Sequence, residues 1–268
     1  MPDATAPPQE HGEVELEHGE VVPPREIVTI ILIAINILFF LWMVIHGVSF
    51  FSPTGIQVLR WGADSAQFSL GGQFWRLLAS NYIHLGIIHL LINMVCLWGL
   101  GRLAETFYAT KDYILLYTFT GLCSSLLSVC WKPHEISAGA SGAIFGITGV
   151  MLATLQWGRL DLTPESKEQV FSGVLQFTVL NLFIGGAQNF LPGILHRQVD
   201  NAGHIGGLLS GLLVGALFGK RLDDSAASQA YRKRAWLVLF FGLAVALMMA
   251  VYRFNGVTIH VRHTPLPH

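Results

Sequence analysis

The chain alternates long apolar stretches with short polar segments. Seven largely apolar intervals contain no Asp, Glu, Lys or Arg: 27–46, 77–101, 113–131, 136–158, 169–196, 201–219 and 235–252. A helix needs about 20 such residues to cross the hydrocarbon core of a bilayer, whereas the strands of an outer-membrane barrel are shorter and alternate with period two. Because these intervals lack that alternation, the pattern predicts an all-α, polytopic membrane bundle of seven helices.

Composition supports the membrane class and narrows the choice of partners. The chain is 52% hydrophobic and 12% charged, whereas soluble domains carry about twice that charged fraction. A net charge of −1 without a basic stripe gives no electrostatic basis for binding nucleic acid. Residues 1–26 are acidic and fit neither a secretory signal nor a mitochondrial transit peptide. We therefore expect them to form a disordered cytoplasmic tail.

The charges between the helices predict the orientation. With the N-terminus in the cytoplasm, ten Lys and Arg residues lie on the inner side and six on the outer side, as the positive-inside rule favours. We therefore predict a six-helix core over 27–219, a basic cytoplasmic loop at 220–234, an added transmembrane helix at 235–252 and a short tail at 253–268. The lack of a targeting signal favours a bacterial cytoplasmic (inner) membrane, with a eukaryotic secretory-pathway membrane as the alternative.

The connection between the first two helices is long and aromatic. Residues 47–73 and the start of the next interval include Trp61, Phe68, Phe74 and Trp75. Such a segment is either a small folded cap at the outer face or an aromatic belt that flanks the second helix. Both interpretations remain open from the sequence.

Five polar residues fall in three of the predicted helices, four of them (all but Asn93) at similar depth, which is costly in a bilayer and typical of functional sites. They are His84, His89 and Asn93 in the second helix, Ser141 in the fourth and His204 in the sixth. With the predicted orientation all three helices begin at the outer side, so these side chains can converge. A serine hydroxyl beside a neutral imidazole is a nucleophile with its base, and free N–H groups at a helix start can stabilise an oxyanion.

Several roles follow from the spacing of these residues. His89 and Asn93 are four residues apart, so they share a helix face and can supply further hydrogen-bond donors. The sequence offers no acidic third member at this depth, and we expect Phe145, one turn after Ser141, to orient the His204 ring. A plainer interpretation treats Gly-Ala-Ser-Gly at 139–142 and the glycines around 207 as helix-packing residues.

At this point the residues resemble the rhomboid family of intramembrane serine proteases. The matching features are Trp75-Arg76 in the first loop, His84, His89 and Asn93 in the second helix, Gly101 and Glu105 at its end, Gly139-Ala140-Ser141-Gly142 opening the fourth, and His204 with Gly207 in the sixth. The resemblance implies that Ser141 is the nucleophile and His204 the base, with His89, Asn93 and the Ser141 amide as oxyanion donors. It implies structural support from His84, Phe145, Gly139, Gly142, Gly207, Trp75, Arg76 and Glu105.

The resemblance also implies an activity and its partners. We expect a serine endopeptidase that cleaves single-pass transmembrane proteins within the lipid bilayer, with no metal and no cofactor. The family commonly has Tyr where this chain has Phe145, so ring stacking is retained while any role of the phenol hydroxyl is lost. Two alternatives remain, namely an inactive rhomboid-like protein that binds membrane clients and a transporter of protons or small solutes. The oligomeric state is not predicted.

Overall fold

The computed structural model describes residues 27–187 and 199–263, with side chains at 27–185 and 199–255. The predicted acidic tail at 1–26 lies outside this range. Ten α-helices occupy the described residues: α1 (Ile27–Ile45), α2 (Gly55–Trp61), α3 (Ala66–Ser69), α4 (Arg76–Ala79), α5 (Ile87–Phe107), α6 (Thr110–Trp131), α7 (Ser141–Trp157), α8 (Pro164–Ala187), α9 (Asn201–Phe218) and α10 (Ala226–His263).

The seven long helices fall on the seven predicted intervals, and the all-α polytopic bundle is confirmed. Helices α1 and α5 to α9 form a six-helix core, and α10 is added to it. Among the described residues, five helices are long and apolar enough to span a membrane: α1, α5, α6, α9 and most of α10. Helix α7 has only 17 residues, and α8 begins with the charged residues Glu165, Lys167 and Glu168.

Helix α7 lies at the centre of the core, and this position explains its short length. Its residues from Gly142 to Leu155 are all buried, so other helices rather than lipid surround it. Helix α9 packs directly on it. The two backbones are so close that a side chain added at Gly207 or Gly211 would overlap the carbonyl group of Gly142 or Gly146, respectively. Small residues at four-residue spacing permit such close backbone contact. This close contact is where α9 needs glycine rather than a residue with a side chain.

The connection between α1 and α5 is a folded cap. Thr54 and Gln57 form a reciprocal capping box at the start of α2. The Arg76 side chain is buried, and its Nη1 donates to the carbonyl oxygens of Leu59 and Ala63 at 2.7 and 3.0 Å. These bonds tie α4 to the end of α2, so the folded-cap interpretation is the one observed.

The region after the core differs from the prediction. Helix α10 begins at Ala226, so residues 226–234 of the predicted loop are helical, and the helix continues through 253–263 of the predicted tail. The run Arg232-Lys233-Arg234 had suggested a solvated loop. Instead the Arg232 guanidinium is buried and forms an ion pair with Asp112 at 2.8 Å, which holds this first part of α10 against α6.

Candidate active site

Ser141 and His204 meet at the starts of two adjacent helices. Ser141 is the first residue of α7, and His204 lies in the first turn of α9. The Ser141 Oγ and His204 Nε2 atoms are 2.9 Å apart, which is a normal hydrogen-bond distance. His204 is buried, and its Nδ1 has no hydrogen-bond partner among the described residues. The arrangement is therefore a serine–histidine pair without a bonded acidic third member.

The His204 ring is oriented by an aromatic contact. Phe145 stacks on it with ring centroids 4.3 Å apart and an interplanar angle of 15°. Phe145 is itself buried and contacts Phe177 of α8 at 6.2 Å between centroids. Because Phe145 follows Ser141 by one helical turn, α7 carries both the hydroxyl group and the ring that faces the imidazole.

His89 and Asn93 lie against the loop that leads into α7. A Cβ added to Gly139 would be 2.7 Å from His89 Cε1 and 3.7 Å from Asn93 Nδ2. Gly139 also has a φ of +135°, which residues with a side chain rarely adopt. Both the backbone conformation and the space therefore require glycine two residues before Ser141. Two polar side chains of α5 therefore lie against the backbone at Gly139, two residues before Ser141.

The remaining predicted residues are packing and anchoring groups, and Glu105 is one at the opposite end of α5 from His89. His84 is fully buried beside His89, with ring centroids 5.3 Å apart. The Arg76 guanidinium stacks over the Trp75 ring at 4.8 Å. The Glu105 carboxylate accepts hydrogen bonds from the Val28 and Thr29 amides at 2.8 and 3.1 Å, which caps the start of α1.

Comparison with known proteins agrees with this arrangement. The family model described as the rhomboid domain matches residues 71–221, which is more than half of the chain and includes Ser141, His204 and the α5 residues. The chain belongs to the rhomboid family.

Similar rhomboids occur in bacteria, plants and an apicomplexan parasite. The chain is 33% identical to the rhomboid protease GluP of Bacillus subtilis over 202 residues, which cover 72% of this chain and 37% of that protein. It is 36% identical to the mitochondrial RHOMBOID-like protein 6 of Arabidopsis thaliana, covering 77% and 70%, and 29% identical to Rhomboid-like protease 3 of Toxoplasma gondii, covering 65% and 63%. It spans little more than a third of the Bacillus relative's length.

As a rhomboid with several membrane-spanning helices, the protein is an integral, multi-pass membrane protein of a family of intramembrane serine proteases.

The site also includes residues that were not predicted from the sequence. Ser137 donates a hydrogen bond to Asp200, which caps α9, and Ser137 pairs through its backbone with Asp64 of the loop cap. An aspartate immediately before an apolar helix is a common N-cap, so Asp200 had a signal in the sequence. Ser137 and Asp64 had none, because loop geometry brings them together.

Proposed function

We propose that this rhomboid is an intramembrane serine endopeptidase with Ser141 as nucleophile and His204 as general base. The observation that carries the proposal is the 2.9 Å contact between Ser141 Oγ and His204 Nε2, at the starts of two helices of a membrane bundle. The name of the Bacillus relative, a rhomboid protease, supports the same activity. A serine hydroxyl within hydrogen-bond reach of an oriented imidazole is the arrangement that nucleophilic catalysis requires.

The reaction follows from these two groups. Ser141 Oγ attacks the carbonyl carbon of the scissile peptide bond, and its proton passes to His204 Nε2. When the tetrahedral intermediate collapses, the C–N bond breaks and His204 returns the proton to the leaving amine, which leaves an acyl group on Ser141. A water molecule then attacks the acyl carbon, its proton passes to His204, and the carboxyl product leaves as Ser141 regains a proton.

The negative charge of each tetrahedral intermediate needs hydrogen-bond donors. The first turn of a helix has free N–H groups, and Ser141 is the first residue of α7. His89 and Asn93 lie beside Gly139, two residues before Ser141. We assign the Ser141 amide, His89 and Asn93 as oxyanion donors, since donors already in place before reaction stabilise that charge most effectively.

The substrate and the membrane orientation follow from the position of the site. The site lies inside a membrane bundle, so we propose single-pass transmembrane proteins as substrates. We also propose a cytoplasmic N-terminus, which the distribution of Lys and Arg favours, and a bacterial cytoplasmic membrane. Because Cys130 is exposed, the test uses a variant in which Cys96, Cys123 and Cys130 are replaced by serine. In this variant a membrane-impermeant maleimide should react in intact cells with a cysteine placed at His134 and not with one at Asp161. The reverse labelling would refute this orientation.

A serine-reactive fluorophosphonate tests the enzyme assignment without knowledge of the natural substrate. The purified protein should be labelled, and the label should be lost in Ser141→Ala and reduced at least about a hundredfold in His204→Ala. Ser210→Ala is the matched control, since Ser210 also lies in α9 and its hydroxyl donates to the carbonyls of Gly206 and Gly207 of its own helix. Cleavage of a reconstituted transmembrane substrate should follow the same order. Labelling that survives Ser141→Ala would overturn the proposal and favour a non-catalytic binder of membrane clients.

A further inference from the structure

A second hydrogen bond joins the two segments that carry Ser141 and His204. Ser137 lies four residues before Ser141, and Asp200 lies four residues before His204. Ser137 Oγ donates to Asp200 Oδ2 at 2.5 Å. The two segments are thus joined twice in parallel, once between the Ser141 and His204 side chains and once just before the two helices begin.

Both partners of this second bond are themselves fixed. The backbone of Ser137 exchanges two hydrogen bonds with Asp64, of 2.8 and 3.0 Å. The other carboxylate oxygen of Asp200 accepts from the Gly203 amide at 2.9 Å, and its carbonyl accepts from the His204 amide at 3.0 Å. A displacement of Asp200 would therefore carry the first turn of α9, and His204 with it.

The packing of α7 on α9 gives this bond a specific task. The two helices meet through glycines, with Gly207 and Gly211 against the backbone of Gly142 and Gly146. At these positions the two backbones lie close together and glycine contributes no side chain to the contact. A directional hydrogen bond at the end where the reactive atoms lie fixes their separation.

We propose that Ser137 and Asp200 form a tether that positions His204 against Ser141. This inference rests on the proposed protease function. Neither residue contacts the reacting atoms, so both are positioning residues that act through the two helix starts. A misplacement of a catalytic group by about 1 Å can lower a rate by about a hundredfold. The tether joins the two helix starts by a polar contact that is separate from the Ser141–His204 bond itself.

Kinetics of the full chain in lipid bilayers test the tether. With a cleaved single-pass substrate, Ser137→Ala and Asp200→Ala should each lower kcat about 10- to 100-fold and leave KM within about twofold of wild type. Ser137→Thr and Asp200→Asn should recover most of kcat, because threonine keeps the donor and asparagine is an N-cap comparable to aspartate. The matched control is Ser228→Ala, which removes a 2.7 Å serine–aspartate bond to Asp223 at the start of α10.

Each result decides one of the two proposals. Wild-type kcat in Ser137→Ala and Asp200→Ala would overturn the tether and leave the protease function intact. The tether would also be overturned if Ser228→Ala lost as much kcat as Ser137→Ala and Asp200→Ala, or if Ser137→Thr and Asp200→Asn failed to recover kcat. In either case the contact would contribute only to folding in general. Inert wild-type protein, or activity that persists in Ser141→Ala, would refute the protease function and the tether with it.

Discussion

The imidazole of His204 is held by a ring rather than by an acid. Its Nδ1 has no hydrogen-bond partner among the described residues, and Phe145 stacks on it at 4.3 Å. A stacked ring restricts the plane of the imidazole, and aromatic pairs contribute about 0.5–1.5 kcal/mol beyond the burial of their area. The orientation of the proposed base therefore depends on a hydrophobic side chain whose loss should affect rate more than fold.

Replacement of Phe145 tests this dependence. Phe145→Leu keeps an apolar side chain in the same buried position and removes the ring, so we expect fluorophosphonate labelling of Ser141 to slow about 3- to 10-fold. Phe145→Tyr keeps the ring and should label at close to the wild-type rate. Labelling rates measured beside thermal midpoints separate the two effects. A Phe145→Leu protein that labels as fast as wild type would show that stacking does not orient His204.

The position of Phe145 could be predicted from the sequence, whereas the Ser137–Asp200 bond could not, and the reason is physical. Phe145 and Ser141 are four apart on one helix, so their shared face follows from helical geometry alone. The meeting of Ser141 with His204 was inferred from equal depth in the bilayer, and the 2.9 Å contact agrees with it. The Ser137–Asp200 bond depends on loop conformation, which neither periodicity nor depth determines.

At the scale of the helices, a buried polar cluster fixes the first part of α10 to the core. The Asp112 carboxylate accepts from Arg232 Nε at 2.8 Å and from Trp236 Nε1 at 2.9 Å. Trp236 packs edge-on against Phe119 and Phe218, with centroids 5.9 and 4.9 Å apart. Farther along, large apolar side chains of α10 such as Phe241 are exposed, as suits a surface that faces lipid. One buried polar cluster thus locates the seventh helix on α6.

Removal of the cation from this cluster should destabilise the protein. Arg232→Met leaves the buried Asp112 carboxylate without its ionic partner, and breaking one side of such a pair costs about 3–5 kcal/mol. The thermal midpoint in detergent should fall clearly. Lys233→Met is the matched control, because the neighbouring Lys233 is exposed and should leave the midpoint almost unchanged. Equal midpoints for the two variants would mean that the Asp112–Arg232 pair does not stabilise the packing of α10.

The charge pattern predicted the added helix but placed its start too late. A run of basic residues at 232–234 is typical of a solvated cytoplasmic segment, and only the fold reveals that Asp112 lies opposite Arg232. The other hydrophobic intervals overlap the other long helices, because the length of an apolar run is set by the bilayer itself. Their bounds are less accurate: α5 begins ten residues after the start of its interval, whose first residues belong to α4 and a short turn. Contacts between distant segments, such as this ion pair, leave no comparable periodic signal.

At the scale of the whole molecule, the loop cap and the helical core meet at Asp64. Its backbone pairs with Ser137, which leads into α7, while its side chain is fully buried and accepts a hydrogen bond from Ser69 Oγ. The second carboxyl oxygen has no hydrogen-bond partner among the described residues. Burial raises the pKa of Asp64 from 3.8 to about 7, and the nearby Asp200 charge adds to the increase, against the opposing Ser69 hydrogen bond.

This raised pKa predicts how stability changes with pH. Between about pH 4 and pH 7 the unfolded chain has released the Asp64 proton, while the folded protein still holds it. The folded protein therefore binds more protons than the unfolded chain, and its stability falls as the pH rises through that window. Each pKa unit corresponds to about 1.4 kcal/mol. In Asp64→Asn the side chain cannot ionise but keeps an acceptor for Ser69. The thermal midpoint of this variant, measured at intervals of about half a pH unit, should therefore fall less than that of wild type between pH 5 and 8. Asp161→Asn, at an exposed position, should follow the wild-type curve. Parallel curves for wild type and Asp64→Asn would mean that Asp64 is ionised in the folded protein throughout this range, and that the contact between cap and core does not depend on its proton.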